Sequence, residues 1–481
     1  MRVWAPVPAV VALMVRVCTA ASPTQAVIGR LELKKIEGPP GVFSRTSDVA
    51  ARFVRPQGFW WEQGAEVVSE GPSFDSLVKK EPSRYESSFP LKGVLRLGDD
   101  SYLFAFDGKK PEAGYERLYL DRNRNGDLTD DEVIRRLPGS WLSGATAAFP
   151  RIDLKIRVDG REMDYAVHAE VYGHRHQQPG ERSVWSASGS FAAAAYREGE
   201  LEIDGKKRRL VLVDFNTNGR FDDRGGVRDA ESPGMAAMVY AEVGDRLYID
   251  PVSEPEMLFG WRGGIADRVF AHYVGRLVAV DDRYYELRVT PTGDEVALRP
   301  SEVRLGEVTN PAERFSAEVY GELGILEVIG GRDRPAFLPE GQWKLLSYTI
   351  DLTERAPSTQ PVRTNKPRGS LLSRLLRLAS PIEVYEEART TAVSAQAARD
   401  YKAVNVVAGR KTVLPFGPPY KPVVSVSHVS PGVAYLEMNL VGSEGEQCRS
   451  LLVRGERPAE PALTIAAPDG EIVERGKFEW G

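Results

Sequence analysis

Arg117-Leu118-Tyr119-Leu120-Asp121-Arg122-Asn123-Arg124-Asn125-Gly126-Asp127-Leu128-Thr129-Asp130-Asp131-Glu132 joins a short alternating apolar run to an acidic loop bent at a glycine. Alternation over four residues reads as a β-strand. Just upstream, Gly93 to Phe106 reads as two strands around the turn Gly98-Asp99-Asp100. About ninety residues later the order repeats. Ser183 to Gly189 and Gly199 to Gly205 are strand-like, and Arg209-Leu210-Val211-Leu212-Val213 runs into Asp214-Phe215-Asn216-Thr217-Asn218-Gly219. Strand, turn, strand and acidic Asn-Gly loop occur twice, which reads as an internal duplication.

The loop residues have the chemistry of a hard-cation site. Calcium takes six to eight oxygens, and a twelve-residue loop delivers them at alternate positions. Asp121, Asn123 and Asn125 fill positions one, three and five. Gly126 takes the sharp bend, where a side chain is costly. Asp127 offers its carbonyl at seven, Leu128 points to the core, Thr129 sits at nine and Glu132 closes the set at twelve. A plain Asn-Gly hairpin turn has no need of that glutamate. The pattern resembles the EF-hand calcium loop, which implies bound Ca²⁺ held by Asp121, Asn123, Asn125, Asp127, Thr129 and Glu132. The resemblance covers the loop alone: the EF-hand enters its loop from a helix, whereas Tyr115 to Leu120 reads as a strand. Asp130 to Arg136 is the stretch available for an exiting helix. A strand leading into Asp-x-Asn-x-Asn-Gly is similar to a set of uncharacterised secreted bacterial proteins, whose activity is not established.

In the second loop Asp214, Asn216, Asn218, Gly219 and Phe221 fill positions one, three, five, six and eight, and Arg220 supplies the carbonyl at seven. Gly225 stands at twelve, so Asp222 or Asp223, aided by Asp229 or Glu231, has to close this shorter variant. With two carboxylates in the first sphere, affinity is expected at roughly 10⁻⁴ to 10⁻³ M, the range of extracellular modules.

Composition fits this picture. The chain has 481 residues, 42% of them apolar, with 45 glycines and 33 prolines spread throughout, which favours short strands and turns. A formal charge of -5 lacks the basic excess of a nucleic-acid binder. Arg2, the apolar run Val3 to Val15 and the small residues through Ala20-Ala21 read as an export signal. The run is short of the roughly 20 apolar residues of a spanning helix, so no transmembrane segment is expected. Cleavage there removes Cys18 and leaves Cys448 alone, without an internal disulfide.

The expected architecture is mainly β and multidomain. It comprises a signal peptide 1–21, an N-terminal segment 22–87 and a calcium-loop domain 88–260. A hairpin connector 261–311, a β-sandwich 312–420 and an Ig-like sandwich 421–481 follow. Leu338-Pro339-Glu340-Gly341-Gln342-Trp343 is similar to a repeat strand of carboxypeptidase-regulatory-like and transthyretin-like sandwiches. Within 355–400, Leu371, Leu372, Leu375, Leu376 and Leu378 have helical spacing.

His174 and His176, one residue apart, have strand spacing for a metal but lie among Gly173, Gln177, Gln178, Pro179 and Gly180, which reads as a loop. Nucleophile elbows, phosphate loops and His-Glu-x-x-His are absent from the sequence. The leading expectation is an exported, calcium-binding scaffold or adhesion-type protein without its own catalysis, at the periplasm or cell surface, with an envelope or glycan partner. The alternatives are a secreted hydrolase with structural calcium and a calcium-dependent carbohydrate-binding protein. Paired carboxylates or stacked aromatics such as Trp60, Trp61 and Trp185 would favour these.

Overall fold

The computed structural model describes residues 26–36, 57–62, 65–66, 71–108, 115–138, 146–176, 184–230, 237–242, 244–251, 271–312, 314–331, 334–353, 391–430 and 433–479. The expected signal peptide and the leucine-rich stretch around Leu371 lie outside the described residues. The described chain is mainly β, arranged in several antiparallel sheets, with one helical turn at Phe74–Leu77.

The strands that carry the two loops belong to neighbouring sheets. One sheet has the order Leu91–Leu97, Asp100–Asp107, Arg117–Leu120, Ile134–Arg135. A five-stranded sheet has the order Ala271–Tyr273, Arg246–Ile249, Lys206–Val213, Ala195–Ile203, Glu32–Lys35. Between them lies a sheet built on Ile152–Val158, the long strand Arg161–His176, Val184–Ala193 and Gln57–Glu62. Its period-2 pattern is plain in Ile152–Val158, where Ile152, Leu154, Ile156 and Val158 are buried and the residues between them are exposed. Phe59, Trp61, Phe104, Phe106 and Phe191 pack edge to face or stacked, with ring centroids 4.9 to 6.4 Å apart.

The N-terminal segment is part of this unit. Val27 pairs with Leu298, Arg197 with Leu33, and Ser188 with Trp60, so one apolar core runs from Leu31 to Leu298. The sequence divided this region at 87 and 260; ladder pairing joins it. The hairpin Arg283–Val289 and Glu295–Pro300 likewise closes a sheet with Val27–Arg30.

A second core gathers Phe315, Trp343, Tyr348, Leu338 and Phe416 beneath a larger sheet. That sheet includes Arg314–Gly321, Gly341–Asp351, Ala392–Gln396 and Gln447–Leu452, and it continues through Val433–Val441 to Lys421–Ser430. Three of the five strands after residue 420, expected as a sandwich of their own, are therefore strands of the preceding unit. The remaining two, Ala462–Ala466 and Ile472–Lys477, form a separate hairpin. The His174-x-His176 stretch, read as a loop, is the end of a strand: His174 pairs with Ser186 and His176 with Val184.

Candidate functional site: two copies of one acidic loop

The first loop leaves strand Arg117–Leu120 at Asp121 and returns through Ile134–Arg135, which pairs back antiparallel as Arg117↔Arg135 and Leu118↔Ile134. The exit is thus a strand, and the helix available to Asp130–Arg136 does not form. Buried Asp121 organises the bend: one carboxylate oxygen accepts the Asn125 N–H at 3.1 Å and the other the Gly126 N–H at 2.8 Å. Asn123 Oδ1 accepts the Asn125 N–H at 3.0 Å, and Asn125 Oδ1 accepts the Asp127 N–H at 2.7 Å. Both amide groups then donate to a single atom, Asp130 Oδ2, at 3.2 Å from Asn123 and 2.6 Å from Asn125. The Asp131 carboxylate accepts the N–H of Arg122 at 2.9 Å.

The second loop repeats these relations. Asp214 accepts the Asn218 N–H at 3.2 Å and the Gly219 N–H at 2.7 Å. Asn216 and Asn218 both donate to Asp223 Oδ2, at 2.9 and 2.5 Å. Backbone conformation is shared as well: Arg124 and Thr217 have φ of 61° and 59°, and Gly126 and Gly219 both have 85°. Such angles are uncommon for a non-glycine residue and recur here at matching positions. The N–H of Phe215, equivalent to that of Arg122, is accepted by Asp245 at 3.0 Å, and the other Asp245 oxygen accepts the Asp223 N–H at 2.8 Å. Asp245 therefore does from a distant segment what Asp131 does from within the first loop.

The side chains of the remaining sequence candidates make other bonds. Asp127 turns away to Lys80 at 2.9 Å and to the Thr129 hydroxyl at 2.6 Å, and the Thr129 and Lys80 bonds hold its carboxyl down at about 2. Thr129 is engaged in that turn. Glu132 is exposed and makes no hydrogen bond to the Asp and Asn side chains of the loop among the described residues. Asp222 pairs with the Arg220 guanidinium at 3.0 Å, and Arg220 also holds Asp159 at 2.7 Å. The side chains of Asp121, Asn123 and Asn125 in the first loop, and of Asp214, Asn216, Asn218 and Asp223 in the second, come together. Those of Thr129, Glu132 and Asp222 do not join them, while Asp127 and Arg220 are expected to serve through their main-chain carbonyls, on which their side-chain pairs do not bear. Asp130, Asp131 and Asp245 were missed. The signal for Asp130 was its spacing of nine from Asp121, matched by Asp223 from Asp214, whereas Asp245 leaves none in the local sequence.

The loops are held differently. Leu128 is buried among Phe74, Val94 and Leu103, and the N–H groups of Lys79 and Lys80 donate to the Gly126 carbonyl. Phe221 enters the main core against Tyr165, and the Asn218 carbonyl accepts the N–H of Gly98. Asp100, on the next turn residue but one, is buried and pairs with Arg124 of the first loop and Arg157. The single turn 98–100 thus touches both loops.

Charge is unbalanced in the second copy. Asp214 and Asp245 are fully buried, and among the described residues neither they nor Asp223 pairs with a Lys or Arg. Burial, and then the charges of Asp214 and Asp223, raise the pKa of Asp245; burial raises that of Asp214, against bonds from Tyr165 and two backbone N–H groups. The Tyr165 hydroxyl donates to Asp214 at 2.5 Å. Asn216 Oδ1 is buried with no hydrogen-bond partner. In the first copy burial likewise raises Asp121. Buried carboxylates without a counter-charge take up a proton or a cation. Among the described residues no three His, Cys, Asp or Glu side chains form a metal cage by themselves, so a cation here has to use amide and main-chain oxygens too. Calcium accepts such mixed spheres.

Trp61 is wholly buried and its indole N–H donates to the Lys92 carbonyl, so it cannot stack on a ligand, while Trp60 is 38% exposed. The side chain of Trp185 lies outside the described residues. No family model matches the chain, and no curated protein or solved structure matches it either.

Proposed function

We propose that this chain is an exported calcium-binding protein of scaffold or adhesion type, in which two copies of one loop bind Ca²⁺ to fix the β-rich unit. One observation carries the reading: two loops ninety-three residues apart, counted from Asp121 to Asp214, place Asp, Asn, Asn, Gly and Asp in the same hydrogen-bonded relation. A hairpin turn needs the Asn and Gly for its backbone angles, but it needs no carboxylate facing two amides. All-oxygen donors favour a hard cation over zinc or copper, and the irregular mixture suits the flexible sphere of calcium better than the strict octahedron of magnesium. The reading of Arg2 to Ala21 as an export signal supports this, since an exported chain would meet abundant calcium.

The test is calorimetric titration of the full chain with CaCl₂, repeated with Asp121→Ala and Asp214→Ala. Two sites are expected, each lost in one variant. Heats unchanged in both variants would refute the reading.

A further inference from the structure

Beside the second core, a cleft of about 170 Å³ opens between the hairpin Leu277–Val280/Arg283–Val289 and the strands Gly324–Gly331 and Ala336–Pro339. No loop residue lines it. A cavity of roughly 150 Å³ suffices for a benzene ring, so this one is sized for a single six-membered ring. Apolar lining comes from both sides, Ala279 on the hairpin and Ala336 and Phe337 on the strand across from it, and Phe337 is exposed at 40% in spite of its size.

The polar lining is charged but paired. Asp282 meets Arg334 at 3.1 Å; Asp281 meets Lys206 at 2.9 Å and also Arg208. Glu327 is engaged by a neighbour as well. His272 lines the cleft, and burial followed by the Arg246 charge holds its imidazole down at about 4, so at neutral pH it offers one donor and one acceptor. Asp281 and Asp282 each face a cation, so these two carboxylates exert little net pull on a charged ligand. What the cleft offers is alternating donors and acceptors beside an exposed aromatic face.

We infer that this cleft binds one neutral, polyhydroxylated six-membered ring: a monosaccharide unit, its C–H face on Phe337 and its hydroxyls on the Asp282–Arg334 pair and His272. A carboxylate and a guanidinium side by side accept from and donate to neighbouring hydroxyls, while the aromatic ring covers the apolar face of the sugar. The inference does not depend on the loops.

The experiment is ligand-observed saturation-transfer NMR and calorimetry on the full chain, with calcium present throughout. The probes are methyl glucoside, methyl galactoside, methyl mannoside and N-acetylglucosamine; benzoate and benzylamine are charged rings of like size. At least one neutral sugar is expected to bind saturably, with Kd on the order of 1 mM. Phe337→Ala and Asp282→Asn, both exposed positions at which folding is checked by melting, are expected to weaken it about tenfold. The charged rings should not compete. Absence of saturable binding by every neutral sugar, binding unchanged in both variants, or displacement by benzoate or benzylamine would each overturn the assignment.

Discussion

At the scale of single residues, the eighth position of each loop anchors it. Phe221 is buried in the main core and Leu128 in a smaller cluster. Phe221→Ala leaves a large void beside Tyr165 and is expected to cost about 3 to 5 kcal/mol; Leu128→Ala should cost about 2 to 4 kcal/mol. Urea unfolding of each variant measures this, and equal losses below about 1 kcal/mol would mean the loops are not anchored this way. His272 makes a pH prediction. Its folded pKa of about 4 lies below its ordinary value of 6.5. Above pH 6.5 the imidazole is neutral folded or unfolded and stability is complete. As pH falls from 6.5 to 4 only the unfolded chain takes the proton, so stability drops, by about 3 kcal/mol in all. His272→Gln should flatten that part of a stability-against-pH curve; an unchanged slope would contradict the assignment.

At the scale of elements, the turn 98–100 links the two copies. Gly98 has φ of 57°, as the first position of a two-residue II′ hairpin turn requires. A Cβ there would lie 2.1 Å from the Arg157 carbonyl oxygen. Gly98→Ala therefore has to displace backbone on both sides, and a loss of about 2 kcal/mol or more is expected in urea unfolding, with calcium binding at the second loop weakened. The loop ligands separate just as clearly. Asp130→Asn should weaken calcium binding at the first loop at least about tenfold, and Asp223→Asn should do so at the second, whereas Glu132→Gln should leave it as it was; the reverse order in a calorimetric titration would restore Glu132 to the sphere.

This contrast marks the limit of what was legible. Strand alternation and the Asp-x-Asn-x-Asn-Gly spacing are local, so the strands and the first five loop positions could be read directly. The EF-hand template puts Glu132 at the closing position because it assumes a helical exit; with a strand exit, position ten faces the amides instead.

For the whole molecule, long-range pairing decides the architecture, and periodicity does not encode it. Val27 finds Leu298, and Lys421–Ser430 extends a sheet begun near Arg314; neither partner is announced by nearby residues. Asp245 reaches Phe215 and Asp223 only because Arg246–Ile249 pairs with Lys206–Val213. The same ladder ties the second loop to the core, so the ion binding proposed there would bear on the stability of the whole unit. The N-terminal strands belong to that unit as well, and only the ladders reveal it.

The most direct measurement is the melting temperature of the intact chain in millimolar calcium against excess chelator, run beside the Asp121→Ala, Asp214→Ala double variant. If the paired loops wrap calcium, chelation lowers the wild-type midpoint by several degrees and leaves the double variant where it was. A wild-type midpoint indifferent to calcium would contradict the account.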